Sequence, residues 1–94
     1  MHFVIHALDK PDALPVRLAH YEAHKAYLAQ AKIKTVISGP LVAEDGETMI
    51  GSCFLVEADS RAAVQAFHDN DPFKAAGVWE HVHINPFLKR VDNR

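Results

Sequence analysis

Apolar positions recur along this chain in two rhythms, and the switches between them mark out six elements. Residues 3–8 form a short apolar run of strand-forming residues that Asp9-Lys10-Pro11-Asp12 breaks as a loop. Over residues 15–31 the period becomes helical. Stepping about 100° per residue puts Leu14, Arg17, Tyr21, His24, Leu28 and Ala31 on one side. Glu22 and Ala29 fall away from that side, and Lys25 sits on its edge. Pro15 suits a first helical turn, and the stretch is rich in good helix formers, so one continuous helix is expected. Residues 34–42 and 48–57 read as a second and third strand joined across the turn signal Glu44-Asp45-Gly46-Glu47. Gly51 inside the third strand signals a bulge or a close backbone approach. Ser60 is a candidate N-cap for a second helix carried by Ala63, Val64 and Phe67, ending near Asn70-Asp71-Pro72. Residues 78–87 read as a fourth strand with Trp79, His81, His83 and Asn85 on one face and Glu80, Val82 and Ile84 on the other. Residues 87–94 read as a polar tail.

The order strand-helix-strand-strand-helix-strand predicts a single α+β domain over residues 1–94. Its architecture is ferredoxin-like, a four-stranded antiparallel sheet with both helices on one face. The strands, however, are apolar at adjacent positions: Phe3-Val4-Ile5, Val36-Ile37 and Phe54-Leu55-Val56. Such runs suit strands buried on both faces. A second copy, paired sheet to sheet about a two-fold axis, is the economical cover, giving a homodimeric α/β barrel. A monomer with an apolar surface is the alternative.

Composition narrows the function classes. The chain has 94 residues, 49% of them hydrophobic, a formal net charge of −2 and no basic run, so nucleic acid is not an expected partner. No apolar run approaches the roughly 20 residues of a membrane span, and the first residues lack the charged start of a signal peptide. One cysteine, Cys53, excludes an internal disulfide and fits a reducing, cytoplasmic setting. The seven histidines are the unusual feature.

A plain core-facing stripe would not carry Arg17 and His24, which lie two turns apart on the inward side of the first helix. Asp71-Pro72-Phe73 follows the second helix, and Ser38-Gly39-Pro40 ends the second strand. Taken singly, these are a hydrogen-bonded core histidine, a turn and a strand terminator. Taken in order they resemble the YciI-like proteins. The matching positions are Arg17, His24, Ser38-Gly39-Pro40-Leu41, Gly46, Gly51-Ser52, Asp71-Pro72-Phe73, Gly77-Val78 and the closing Val82-His83-Ile84-Asn85-Pro86-Phe87, roughly residues 3 to 87.

That resemblance implies a ferredoxin-like dimer with a His–Asp active site, here His24 and Asp71, and no cofactor. Within the family, a dehydrochlorinase acting on chlorinated hydroxyhydroquinones is the best-understood activity. A histidine beside a carboxylate can take and return a proton near neutral pH. Eliminating HCl from a small aromatic substrate needs such a base and a polar group for the leaving chloride. Arg17 is a candidate for binding an oxyanion or chloride, Ser38 for a substrate hydroxyl, and Phe73 and His83 for the ring. The alternative function is a non-catalytic barrel that binds a small molecule.

The other histidines and aromatics are weighed separately. His81 and His83 share a strand face, and His6 lies on the neighbouring strand of this topology. A metal site there requires His6 to point to the same side; lining the barrel is the favoured reading, and no metal is assigned. His2, His20 and His68 read as surface residues and Cys53 as a small buried hydrophobe. Tyr21, Tyr27, Phe73 and Trp79 are candidates for an aromatic wall, with ordinary core packing the competing reading for each.

Overall fold

The computed structural model describes residues 1–94. Eight elements follow one another: β1 (His2–Asp9), α1 (Leu14–Ala19), α2 (Tyr21–Gln30), β2 (Lys34–Val42), β3 (Met49–Glu57), α3 (Arg61–Asp69), α4 (Pro72–Ala75) and β4 (Trp79–Phe87). The strands form one antiparallel sheet in the order β2-β3-β1-β4, the ferredoxin-like α+β arrangement. No helix is long and apolar enough to cross a membrane.

Alternation along the strands sorts side chains between two faces. Phe3, Ile5 and Ala7 of β1, Phe54 and Val56 of β3 and Ile84 of β4 are buried, and they pack with Val64, Phe67 and Phe73 from the helical layer. Val4, His6, Leu8, Cys53, Leu55, Ile37 and Leu41 point the other way, where no helix covers them, and Ile37 remains 52% exposed. Gly51 is required by close approach, since a Cβ there would strike the Ala7 carbonyl oxygen across β3 and β1.

Three local features differ from the sequence expectation. The single helix over 15–31 is interrupted at His20, whose ψ of 8° lies outside the helical basin. The His20 N–H still reaches Val16 O at 3.1 Å, and His24 N–H reaches His20 O at 3.0 Å. The break therefore leaves periodicity intact, and Arg17 and His24 stay on the inward side. The second helix ends at Asp69, where the sequence placed its end, and a further turn the sequence did not predict follows it. Ser60 caps α3 through Ala63 N–H, as its position suggested, while Asp71 caps the separate turn, α4. Gly77, at φ 74°, then turns the chain into β4.

The third difference is in β4. A register shift sets Trp79 opposite Asp9 but His81 opposite Leu8, so two steps of β4 span one step of β1. This bulge changes the parity of the strand. Trp79 and Ile84 are buried and Val82 half-buried on the helical side, while His81 and His83 point to the open face. The expected face shared by Trp79, His81 and His83 is thereby split. Phe87 closes β4, so the irregular tail begins at residue 88.

Candidate active site

Arg17 is the largest fully buried side chain in the molecule, 1% exposed. Its Nε and Nη2 donate to the two carboxylate oxygens of Asp9, both at 2.8 Å, and Nη2 also donates to Ser52 Oγ at 2.8 Å. A buried guanidinium without such partners would carry a large desolvation penalty. Asp9 reaches it because it continues the alternation of Phe3, Ile5 and Ala7 along β1 and so faces the helices. The guanidinium carbon lies 4.8 Å from the centre of the Phe73 ring.

Two turns along the same side, His24 meets Asp71. Nδ1 lies 2.9 Å from Oδ1 and 2.8 Å from Oδ2, with hydrogen-bond alignment good only to Oδ1. A carboxylate accepts and does not donate, so Nδ1 carries the ring proton and Nε2 is left as the proton acceptor. Asp71 Oδ1 also accepts the Phe73 N–H at 2.9 Å, which makes the capping residue of α4 the orienting group of the imidazole. Phe73 stacks on the imidazole at 4.0 Å and 10°, and Phe54 meets its edge at 6.1 Å. The ring is thus fixed by one hydrogen bond and two aromatic contacts.

A cleft of about 200 Å³ opens beside these groups, lined among others by Arg17, Tyr21, His24, Ser38, Ser52 and Phe54. The Ser38-Gly39-Pro40 segment of β2 forms its outer wall. A larger groove of about 750 Å³, lined by Tyr27, Ile33 and Phe67, contains neither His24 nor Asp71. The smaller cleft is the candidate site because it alone joins an oriented base to polar donors.

The structure brings His24, Asp71, Arg17 and Ser38 together. Two of the expected substrate contacts fall elsewhere. Phe73 is fully buried and backs His24 and Arg17 without lining the cleft. His83 lies on the opposite face of the sheet, directly across from His6. The geometric condition for a His6–His83 pair is therefore met, but no three His, Cys, Asp or Glu side chains gather closely enough to hold a metal.

Other assignments also change. Cys53 is half-buried on the open face, not in the core. Trp79 supports the cleft from behind by donating its Nε1–H to Ser52 Oγ at 3.3 Å. Tyr27 donates its hydroxyl to the Phe67 carbonyl, and burial followed by the Asp71 charge raises its pKa. His68 is not on the surface. It is 2% exposed, stacked on Trp79 at 4.6 Å, and burial pushes its pKa down. The two participants that received no role from the sequence, Asp9 and Ser52, left a readable trace. Both are polar residues at strand positions in phase with buried apolar neighbours.

Fold and site together define a ferredoxin-like α+β domain whose helical layer carries a buried, oriented His–Asp pair beside a small polar cleft. Residues 1–88 match the YCII-related domain, and the chain belongs to that family. It is 40% identical over 96 residues to the protein YciI of Escherichia coli, covering 95% of this chain and 98% of that one. It is 34% identical over the same span to an uncharacterized protein of Haemophilus influenzae. The structure superposes with a TM-score of 0.85 on the 5-chloro-2-hydroxyhydroquinone dehydrochlorinase TftG of Burkholderia phenoliruptrix, solved in complex with 2,5-dihydroxybenzoquinone. The two share 36% sequence identity, and the match covers 94% of each chain.

Proposed function

We propose that this protein is a cofactor-free acid–base enzyme of the lyase type, acting on a small oxygenated aromatic ring, most concretely by eliminating HCl from 5-chloro-2-hydroxyhydroquinone. The observation that carries this reading is the His24–Asp71 pair. Nδ1 is committed to a buried carboxylate, which leaves Nε2 as the base in a cleft of about 200 Å³. That volume suits one six-membered ring and its substituents. The TftG match at 36% identity supports the choice of substrate.

In this reading a substrate hydroxyl gives its proton to Nε2. Asp71 holds the imidazole in place and faces the positive charge that forms on it. The electron pair enters the ring at the chlorine-bearing carbon, which takes a proton back from the imidazolium to form a C–H bond. A second ring hydroxyl then gives its proton to Nε2, its electrons become the second carbonyl, and chloride leaves with the electrons of its C–Cl bond. One proton and one chloride are lost, the ring becomes a hydroxyquinone, and no external electron acceptor is needed. Arg17 and Ser38 face the substrate's oxygens or the departing chloride. Acid–base assistance of this type is worth about 10²–10⁴-fold.

The test is chloride release from 5-chloro-2-hydroxyhydroquinone by purified protein without added metal or cofactor. Release is expected in the wild type and absent in His24→Ala with the fold retained. Equal release by that variant refutes the assignment of His24. Ligand binding without turnover in the wild type favours a small-molecule-binding role.

The working unit in this proposal is a homodimer in a reducing cytoplasm. The uncovered sheet face, with Val4, Leu55, Ile37 and Leu41, is covered by a second copy. Light scattering is expected to give twice the 10.5 kDa chain mass, and Ile37→Lys to give the monomer.

A further inference from the structure

The hydroxyl of Ser52 has one hydrogen and two lone pairs to place. Arg17 Nη2, 2.8 Å away, and Trp79 Nε1, 3.3 Å away, are both obligate donors, so each takes a lone pair. Ser52 is 3% exposed, and no group in the chain accepts its hydrogen. A buried hydroxyl hydrogen without an acceptor is costly, and this residue lines the cleft. Arg17 repeats the pattern. Nε and Nη2 are engaged by Asp9 and Ser52, while Nη1 has no partner in the chain and Arg17 lines the same cleft.

We infer that Ser52 is a substrate-binding donor. Its O–H and Arg17 Nη1 together form a receptor for one acceptor oxygen, a ring carbonyl or phenolate, while His24 Nε2 takes the proton of a second ring oxygen. This deepens the proposed function and rests on its choice of site. It orients the substrate class: a six-membered ring with a quinoid or ionised oxygen toward Ser52 and Arg17 and a hydroxyl toward His24. Asp9 already balances the charge of Arg17, so the subsite recognises the oxygen chiefly by donated hydrogen bonds. Trp79 acts through Ser52 as a positioning residue, because its N–H leaves the serine hydrogen only the direction toward the cleft.

The probe is 2,5-dihydroxybenzoquinone, titrated calorimetrically and followed by the infrared carbonyl stretch of the bound ligand. Wild type, Ser52→Ala and Ser52→Cys are compared. Cysteine retains a weak donor and carries the test should the alanine variant not fold. The alanine variant is expected to bind about tenfold more weakly or worse, as loss of a hydrogen bond to a charged ligand implies. The carbonyl stretch is expected to rise in both variants, more in alanine than in cysteine. Affinity within twofold of wild type, an unmoved stretch, or no quinone binding by the wild type overturns the inference. Weaker binding with an unmoved stretch also overturns it, since that is what a purely structural serine would give. Ser52-dependent binding without chloride release retires the dehydrochlorinase reading alone. Chloride release with Ser52-independent binding retires this inference alone.

Discussion

Replacing His68 by Phe is expected to stabilise the protein, and increasingly so on acidification. The His68 ring stacks on Trp79 at 4.6 Å with an interplanar angle of 20°, and neither ring nitrogen has a hydrogen-bond partner. A neutral imidazole buries one donor and one acceptor, each costing about 1–3 kcal/mol when unpaired. Phe keeps the stacking and removes both, against about 1 kcal/mol for fitting a larger ring into a packed site. A net gain of about 1 kcal/mol at pH 7 raises the Tm by roughly 4–8 °C in a domain of this size. The pH dependence follows from burial and the Lys74 charge, which lower the His68 pKa, opposed by Asp69 and Asp71. Below the ordinary value of 6.5, the unfolded chain binds a proton that the folded chain does not. Stability therefore rises with pH in that window and is lost as pH falls through it, by at most about 1.4 kcal/mol per pH unit. The Phe variant lacks this term. Urea denaturation of both proteins at pH 7.5, 6.5 and 5.5 measures the difference directly. A gap that stays constant or narrows below pH 6.5, or a variant less stable at every pH, refutes the reasoning.

Asp71→Asn keeps an acceptor for the Phe73 N–H, so the cap of α4 survives, but an amide no longer fixes the Nδ1–H tautomer of His24. Loss of about 10²-fold or more in chloride release with a Tm within a few degrees of wild type is expected, and unchanged release argues against the dyad. Arg17→Leu leaves Asp9 buried without its partner, so it is expected to cost about 3–5 kcal/mol. The double variant Asp9→Asn, Arg17→Leu is expected to recover part of that loss in the same denaturation assay.

Much of the fold is written in local signals because few residues compete over them. Ser60 caps the N–H of Ala63 three residues on, and at Gly51, paired with Leu8, a Cβ would strike the Ala7 carbonyl, so each position answers to its immediate backbone surroundings. The first helix shows the limit of such signals. Its inward stripe is set by periodicity alone, and the break at His20 preserves both hydrogen bonds and phase, so no pattern of side chains registers it. The β4 bulge is the opposite case. It changes which side chains share a face, and nothing in Trp79-Glu80-His81 announces it, because a bulge is selected by what must pack beneath it. Here that is Trp79 against Phe73 and His68.

The difference between a contrast within one element and one between elements explains why half of the site was legible and half was not. Arg17 and His24 betray themselves as polar residues on an apolar helical stripe, a contrast visible within one element. Asp9 and Ser52 are informative only once the strand faces are known, since each is a polar residue in phase with an apolar one, Ala7 and Phe54, that turns toward the helices. His68 was hidden for the same reason. Its burial comes from Trp79, and Trp79 takes that side of the sheet only through the bulge. One irregular step in β4 thus aims Trp79 at Ser52 and encloses His68. Ser52 and His68 are therefore coupled: a change that straightens β4 is expected to disturb the Arg17 side of the cleft before the His24–Asp71 pair, which is held by α2 and α4.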